Sequence, residues 1–368
     1  MSKQRLKDLF LSLVAVHSPS GQEGKIGRML EVRLADLGFE VTLDGVGKLL
    51  NGEMGNIIAR KDGDTHSETV LLCAHMDTVK PIGSAVIENG VFRSRGAGIL
   101  GADDKGGIAA ILEGVQRVIE TMRNHPPIEV VFTVQEEVGL NGARHLDTSQ
   151  LCAKCGFVFD ASGDVGSVTI HTPAKRSLEY IFTGRAAHAG VEPEKGVSAI
   201  VAASKAIAAM TLGRVSEEST ANIGVIEGGV AKNIVPESTR LVGEARSFSE
   251  DKLSLIVAEM AKRAQEAAAS MGARVEINEV EDYPAICLDV SDKVVQDAAS
   301  AIRGVGIEPH FSKEGGGSDA VILTTRGIPC VNLGIGVSKP HTSMEHIALE
   351  DLDKAAQLVF QIVMQGSK

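Results

Sequence analysis

The segment IEVVFTVQEEVG, residues 128–139, joins a β-strand pattern to two adjacent carboxylates. Its apolar, β-branched first half is typical of a buried strand, and Glu136 and Glu137 follow where that run ends. Neighbouring side chains of a strand point to opposite faces, so the two glutamates are predicted to have different tasks. The segment therefore predicts a covered sheet with polar chemistry at the carboxyl end of a strand.

The same pattern recurs on both sides of this segment. Short apolar runs alternate with longer amphipathic stretches, of which GGIAAILEGVQRVIETM, residues 106–122, is the clearest helix. This alternation predicts an α/β domain whose mostly parallel sheet is covered by helices. The other predicted strands of the first 170 residues lie at 56–60, 69–75 and 156–161.

The rhythm changes between residues 175 and 283. There the order of predicted elements is β-α-β-β-α-β, the pattern of a ferredoxin-like α+β unit. After residue 283 the α/β rhythm resumes and ends in a helix over residues 350–365. We therefore predict one domain formed by residues 1–174 and 284–368, and a second domain, residues 175–283, inserted into it.

Composition excludes several classes of partner. The chain has 368 residues, 43% hydrophobic and 23% charged, and its formal charge of -11 speaks against nucleic-acid binding. No run approaches the roughly 18 uncharged apolar residues that a membrane span requires. The five cysteines are few and odd in number, which favours a reducing compartment. We expect a cytoplasmic protein that contacts neither nucleic acid nor membrane.

Possible metal ligands gather where predicted strands end. The carboxyl ends of parallel strands meet at one edge of a sheet, which is where α/β proteins bind ligands. Imidazoles and carboxylates together suit a pair of zinc ions, or of cobalt or manganese ions. Such a pair needs a bridging carboxylate, which Asp103 or Asp104 would provide. The segments that converge carry His75 and Asp77; Asp103 and Asp104; Glu136 and Glu137; Asp160; and His341, Glu345 and His346.

Several motifs resemble a known enzyme family in order and spacing. They are LLCAHMDTV, GADDKGG, FTVQEEVGLNGA, VFDASGDVG, AAHAGVEPEKGVSAI and KPHTSMEHI. They resemble the dinuclear zinc peptidases, the family of peptidase T, glutamate carboxypeptidase, succinyl-diaminopimelate desuccinylase and the aminoacylases. The resemblance covers nearly the whole chain and is strongest to the peptidase T branch.

The resemblance implies a role for each motif residue of the metal site. Glu136 would be the general base, Asp103 the bridging ligand, and Asp77 the carboxylate that orients the imidazole of His75. Asp104 is then predicted to cap the following helix, and Glu345 and His346 to flank the last ligand. The remaining implied ligands are His75 and Asp160 on the first metal, and Glu137 and His341 on the second.

The inserted domain would complete the site. His188 resembles the histidine that reaches across a homodimer to stabilise an oxyanion, and Asn233 and Arg246 resemble residues that hold the substrate. The resemblance therefore implies a homodimer formed through this lid and dimerisation domain.

Together these features predict metal-dependent hydrolysis of peptide bonds in short peptides, as in a tripeptide aminopeptidase. A water bound by both metals would be the nucleophile, and Glu136 would take its proton. A carboxypeptidase or an N-acyl amino acid deacylase would use the same core, so both remain alternatives. A non-catalytic binding protein is disfavoured because every matched ligand and base position is retained.

Three further motifs are interpreted as structural. GAGILG, residues 96–101, has dinucleotide-binding spacing, but two aspartates follow where a pyrophosphate would lie. CAKC, residues 152–155, lacks the second cysteine pair of a zinc site. Ser20 and Glu23 have capping-box spacing and predict a helix start with no catalytic part.

Overall fold

The computed structural model describes residues 2–64 and 67–366. They form two compact units, which are treated separately below. Unit 1 comprises the described residues of Met1–Ile170 and Cys287–Lys368, and unit 2 is His171–Ile286.

Strands and helices alternate along the described chain. The strands are β1 (Glu40–Leu43), β2 (Ile57–Lys61), β3 (Val70–His75), β4 (Ser84–Glu88), β5 (Val91–Arg95), β6 (Ile128–Thr133), β7 (Gly156–Ala161), β8 (Ser167–Thr172), β9 (Ala174–Thr183), β10 (Gly213–Ser216), β11 (Ser219–Gly228), β12 (Ser238–Ser247), β13 (Arg274–Tyr283), β14 (Ile286–Cys287), β15 (His310–Lys313), β16 (Cys330–Gly334) and β17 (His346–Ala348). The α-helices are α1 (Ser2–Val14), α2 (Gly24–Asp36), α3 (Val46–Leu49), α4 (Ala102–Glu120), α5 (Asn141–His145), α6 (Ala199–Ala209), α7 (Glu250–Met271), α8 (Lys293–Gly304), α9 (Asp319–Thr325) and α10 (Leu349–Gln365).

The main sheet has the order β1-β2-β6-β3-β7-β16-β8-β14, and β15 pairs with β8. Its centre is parallel, because β3 pairs in parallel with β6 and β7, and β7 with β16. Strands β3 and β6 are buried along their whole length, as their mostly apolar runs predicted. The parallel centre brings the carboxyl ends of β3, β6 and β7 to one edge.

Helices α1, α4 and α10 of unit 1 are joined by an ion-pair network around a buried carboxylate. Glu113 on α4 is 1% exposed and accepts hydrogen bonds from Arg5 on α1 and Arg117 on α4. The Arg117 guanidinium also donates to Asp353 on α10. Glu113 is therefore paired on both sides, as a buried carboxylate requires.

A three-stranded antiparallel sheet, β17-β5-β4, also belongs to unit 1. The sequence analysis did not predict it, because these strands are short and mostly half-exposed or exposed. It includes VFRSR, the run before GAGILG, whose only buried residue is Phe92. The sheet places residues 341–346 near the start of α4, since β17 pairs with β5.

Unit 2 is a sheet of order β10-β11-β12-β9-β13 whose neighbours are all antiparallel. Its core includes Tyr180 and Phe182 of β9, Leu241 of β12, and Leu253 and Met260 of α7. Apart from the short added strand β10, its elements follow the predicted β-α-β-β-α-β order.

The predicted fold class is confirmed: a mostly parallel sheet with helices, and a separate antiparallel α+β unit. Among the described residues, no helix combines the length and the apolar character needed to cross a membrane.

Candidate dinuclear metal site

Asp103 lies between the two histidines predicted to bind metal. Its Oδ1 is 3.1 Å from His75 Nε2, and its Oδ2 is 3.1 Å from His341 Nε2. His75 ends the buried strand β3, Asp103 lies in the first turn of α4, and His341 lies in the loop before β17. One carboxylate thus offers a separate oxygen to each imidazole, which is the arrangement expected of a bridge.

Two further carboxylates complete the cluster. Asp160, near the end of β7, places Oδ1 3.4 Å from His75 Nε2. Glu137, beyond the end of β6, places Oε1 3.0 Å from His341 Nε2. The structure therefore brings together His75, Asp103, Glu137, Asp160 and His341, with His75 2% exposed and His341 51% exposed.

Asp77 contacts both the His75 imidazole and the paired glutamates. Its main-chain carbonyl lies 2.9 Å from His75 Nδ1, whereas its carboxylate lies 3.5 Å away. Its Oδ1 accepts from the Glu136 amide at 2.9 Å, and its Oδ2 from the Glu137 amide at 3.2 Å. The sequence predicted orientation of His75 by the carboxylate; in the structure the carbonyl makes the shorter contact.

The Asp77 carbonyl also determines which imidazole nitrogen carries the proton. A carbonyl only accepts, so Nδ1 of His75 is the donor. In the neutral ring Nε2 then presents a lone pair to the oxygens of Asp103 and Asp160. Three acceptors facing one another repel unless a cation lies among them. The donor set therefore fits a positive ion at this position.

The distances fit a metal pair as well. Ligand atoms about 2.0–2.1 Å from a tetrahedral zinc ion lie about 3.3 Å from one another. The imidazole-to-carboxylate distances in this cluster are 3.0, 3.1, 3.1 and 3.4 Å. His75, Asp104 and Asp160 also place ligand atoms within 4.8 Å of one another, as do His75, Asp103 and Glu137.

Both oxygens of the Asp104 carboxylate accept hydrogen bonds from main-chain amides. Its Oδ1 accepts from the Gly107 amide at 3.1 Å, and its Oδ2 from the His75 amide at 3.1 Å. A Cβ on Gly107 would lie 2.1 Å from the Phe159 carbonyl oxygen, so only glycine fits between α4 and β7. Asp104 therefore links α4 to β3, whereas Asp103 contacts both histidines.

Glu345 holds the segment that carries Asp103. It is 0% exposed, and its two oxygens accept from the Gly101 amide at 2.8 Å and the Asp103 amide at 2.9 Å. His346, in β17, pairs with Arg93 of β5, and its Nδ1 lies 2.9 Å from the Met344 carbonyl. The geometry thus favours His341 over His346 as a ligand.

The electrostatics of the cluster favour bound cations. The carboxylates of Asp103 and Glu137 raise the pKa of His341 to about 10. Burial and neighbouring negative charges raise the pKa of Asp160 to about 7. Burial, together with the Asp160 carboxylate, also raises the pKa of Glu136 above its usual range. Divalent ions would take the place of the protons on His341 and Asp160, because metal ligands must be deprotonated.

The three remaining predicted residues belong to unit 2. The Ala189 amide, next to His188, donates to the Asn233 carbonyl at 3.0 Å, so these two segments are neighbours. The Gly190 amide donates to His188 Nδ1 at 3.2 Å. Arg246 on β12 donates to Glu244 through Nε at 2.8 Å and through a terminal nitrogen at 3.1 Å.

The capping-box interpretation of Ser20 and Glu23 is wrong. Helix α2 begins at Gly24, and its N-cap residue, Glu23, makes no side-chain cap. Instead, the Ser20 hydroxyl donates to Asp77 Oδ2 at 2.7 Å, and Glu23 Oε1 accepts from the Gln135 amide at 3.1 Å. Sequence reasoning missed both contacts, because they join segments 57 and 112 residues apart.

The other two motifs are used structurally. The Gly101 amide that would face a pyrophosphate in GAGILG donates to Glu345 instead. All five cysteines are free thiols, and no cysteine belongs to a metal-capable group among the described residues.

Comparison with known proteins agrees with this geometry. Residues 71–365 match the profile described as "Peptidase family M20/M25/M40". YqjE of Bacillus subtilis (strain 168) is 40% identical to this chain over 370 residues, and the match covers 100% of both chains. The structure of aminopeptidase PepT from Bacillus cereus ATCC 10987 is 39% identical, with a TM-score of 0.88, over 100% of this chain and 99% of that one. A tripeptidase from Staphylococcus aureus subsp. aureus mu50 is 36% identical, with a TM-score of 0.92, over 99% and 98%.

The fold and the site define a metal-dependent hydrolase of peptide bonds. The chain belongs to peptidase family M20/M25/M40. The predicted family and the predicted hydrolase activity are therefore confirmed.

Proposed function

We propose that this peptidase is a tripeptide aminopeptidase that binds two zinc ions. The observation that carries the dinuclear site is the position of Asp103, one oxygen of which faces each imidazole at 3.1 Å. The similarity of this chain to PepT and to the tripeptidase extends over nearly the whole of each chain and supports tripeptides as the substrate class.

His75, Asp103 and Asp160 would hold one ion, and Asp103, Glu137 and His341 the other. When bound, such a pair polarises a carbonyl group and lowers the pKa of water between the ions. Asp77 would keep the His75 ring in the tautomer that leaves Nε2 free to bind.

Glu136 would be the general base. It lies three residues beyond the end of β6, and its amide donates to the Asp77 carboxylate at 2.9 Å, so the main chain that carries its side chain is fixed. Its raised pKa suits a group that takes a proton from the attacking water and returns it to the leaving amine. Glu137 would instead be a ligand beside His341, which separates the tasks of the two glutamates.

Unit 2 would act as a lid and as the surface of a homodimer. Exposed apolar residues gather on the segments around His188 and Asn233, where Val191 is 73%, Val230 88% and Ile234 38% exposed. Burying such residues favours association. His188 would then stabilise the oxyanion in the partner's site, and Asn233 and Arg246 would hold the substrate. A monomeric wild type in sedimentation, or a Val230→Asp variant as dimeric as the wild type, would count against this arrangement.

A panel of peptides tests the substrate class. We expect hydrolysis of free tripeptides in the presence of zinc, cobalt or manganese, loss of activity with chelator, and little cleavage of N-acetylated tripeptides. Preference for N-acylated substrates would indicate a deacylase instead. Release of the carboxyl-terminal residue from N-blocked peptides would indicate a carboxypeptidase.

The Glu136→Gln variant tests the mechanism. It should lose activity by about 10²–10⁴-fold while binding the same number of metal ions as the wild type, because only the proton acceptor is removed. Metal analysis of both proteins is the control. Retained activity would contradict the role of Glu136.

A further inference from the structure

Four consecutive amides beyond the end of β6 are all held by side chains. Strand β6 ends at Thr133, so the amides that follow have no partner in the sheet. The acceptors are side-chain oxygens of Asn56, Glu23 and Asp77, and Asp77 accepts from two of the four amides. The bonds are Val134 N to Asn56 Oδ1 at 3.1 Å, Gln135 N to Glu23 Oε1 at 3.1 Å, Glu136 N to Asp77 Oδ1 at 2.9 Å and Glu137 N to Asp77 Oδ2 at 3.2 Å.

Gln135 is the residue at which the chain turns away from the strand. Its φ is +53°, a left-handed conformation that is strained for a non-glycine residue. Its carbonyl accepts from the Asn141 amide at 3.1 Å, which closes the turn on one side. Its amide is held on the other side by Glu23. The direction in which Glu136 and Glu137 leave the strand therefore depends on both bonds.

The buried position of the Glu23 side chain lowers the stability of the folded protein. It is 0% exposed, and its Oε1 also accepts from the Gly21 amide at 2.8 Å. Its Oε2 is buried and has no hydrogen-bond partner within the described parts of the chain. A buried carboxyl oxygen without a partner destabilises a protein, so the fold alone does not account for an acid at this position.

We propose that Glu23 is a positioning residue for the paired glutamates: through the Gln135 amide it sets the direction of Glu136 and Glu137. The proposal rests on the proposed function, in which Glu136 is the base. Glu23 itself touches neither histidine of the site. Its hydrogen bond to Gln135 requires an acceptor at Oε1 but no negative charge, and this distinction can be tested.

Three substitutions separate the hydrogen bond from the charge. Glu23→Gln keeps an acceptor oxygen at the same distance from the main chain, so its kcat should stay within about threefold of the wild type. Glu23→Ala removes the acceptor, and Glu23→Asp keeps the charge but withdraws the acceptor by one methylene group. Both should lower kcat by about 10–100-fold with KM and bound metal nearly unchanged, because a misplaced base slows the reaction rather than substrate binding.

Glu129 provides a matched control. It is 1% exposed, lies near the opposite end of β6, and accepts from the Cys152 and Ala153 amides at 3.0 Å. Glu129→Ala removes these amide hydrogen bonds, and the ion pair with Arg60 at 2.9 Å, far from the paired glutamates, so it should lower stability and leave kcat unchanged. If Glu129→Ala lowered kcat as much as Glu23→Ala, the effect would be general and the proposal would be overturned.

Hydrogen exchange measures the positioning without substrate. In the metal-loaded protein, the amides of residues 134–137 should exchange at least about tenfold faster in Glu23→Asp and Glu23→Ala than in the wild type or Glu23→Gln. If the wild type hydrolyses no peptide, the proposed function fails, and this exchange measurement alone decides the positioning role. Unchanged exchange, or a Glu23→Gln variant as impaired as Glu23→Ala, overturns the proposal.

Discussion

The amide of Glu136 donates to the Asp77 carboxylate at 2.9 Å, so the proposed base is fastened to the strand end that carries His75. Asp77 is 0% exposed and also accepts from the Glu137 amide and the Ser20 hydroxyl. One side chain therefore connects the ends of β3 and β6 with the N-terminal segment.

Removal of the Asp77 carboxylate should impair both catalysis and metal binding. Asp77→Ala leaves the Glu136 and Glu137 amides without acceptors, and we expect kcat to fall at least about 100-fold. Metal affinity should fall about 10–100-fold, as is typical when groups that support ligands are lost. Asp77→Asn retains one acceptor oxygen, so its kcat and its metal affinity should lie between those of the wild type and those of Asp77→Ala. Kinetics with excess metal and metal titration separate the two effects; a wild-type kcat in Asp77→Ala would contradict this prediction.

The identity of the bridging aspartate is open to a direct test. Asp103→Ala should lower the affinity for both ions, because Asp103 contacts both imidazoles. Asp104→Asn should keep the wild-type number of bound ions, since Asp104 bonds to the His75 and Gly107 amides. Metal content after gel filtration is the measurement. Loss of both ions in Asp104→Asn alone would assign the bridge to Asp104.

Loss of the buried carboxylate between α1 and α4 should destabilise unit 1. Glu113→Ala leaves Arg117, which is 14% exposed, with only Asp353, and it removes a partner of Arg5. We expect a loss of about 1–3 kcal/mol in the free energy of unfolding, less than for a fully buried pair because Arg5 is 39% exposed. Glu120, the exposed ion-pair partner of Arg5, is the control. Glu120→Ala should cost under about 1 kcal/mol in urea unfolding.

Glu23 should make stability depend on pH. Burial, with the Asp77 charge adding to it, raises the pKa of Glu23 from 4.5 to about 7. Between these values the folded state binds more protons than the unfolded state, so stability falls as pH rises through this window. Glu23→Gln does not titrate. Because one pKa unit corresponds to about 1.4 kcal/mol, the unfolding free energy of the wild type relative to Glu23→Gln should fall by about 2–3 kcal/mol from pH 4.5 to 8. A difference that does not change with pH would disprove the raised pKa.

The sequence predicted the scaffold of unit 1 closely, because its signals are local. The apolar runs at 69–75, 128–134 and 156–161 became β3, β6 and β7 within one residue at each end. Buried parallel strands need such runs, and short polar segments must follow them. The convergence of His75, Glu137 and Asp160 followed from that order, since parallel strands end at a common edge. Asp103 and His341 join them through α4 and through the three-stranded sheet, which the sequence did not predict.

What the sequence alone determined was therefore the order of the elements, the fold class and the donor set of the site. The tertiary structure decided which side chains support these donors: Asp77 accepts from two amides and a hydroxyl, Glu345 from two amides, and Glu23 from the Gln135 amide. Ser20 and Glu23 satisfy a local capping rule, yet their partners are residues 57 and 112 positions away. A hydrogen bond depends on distance in space, and residue spacing along the chain reveals it only within a single helix, strand or turn.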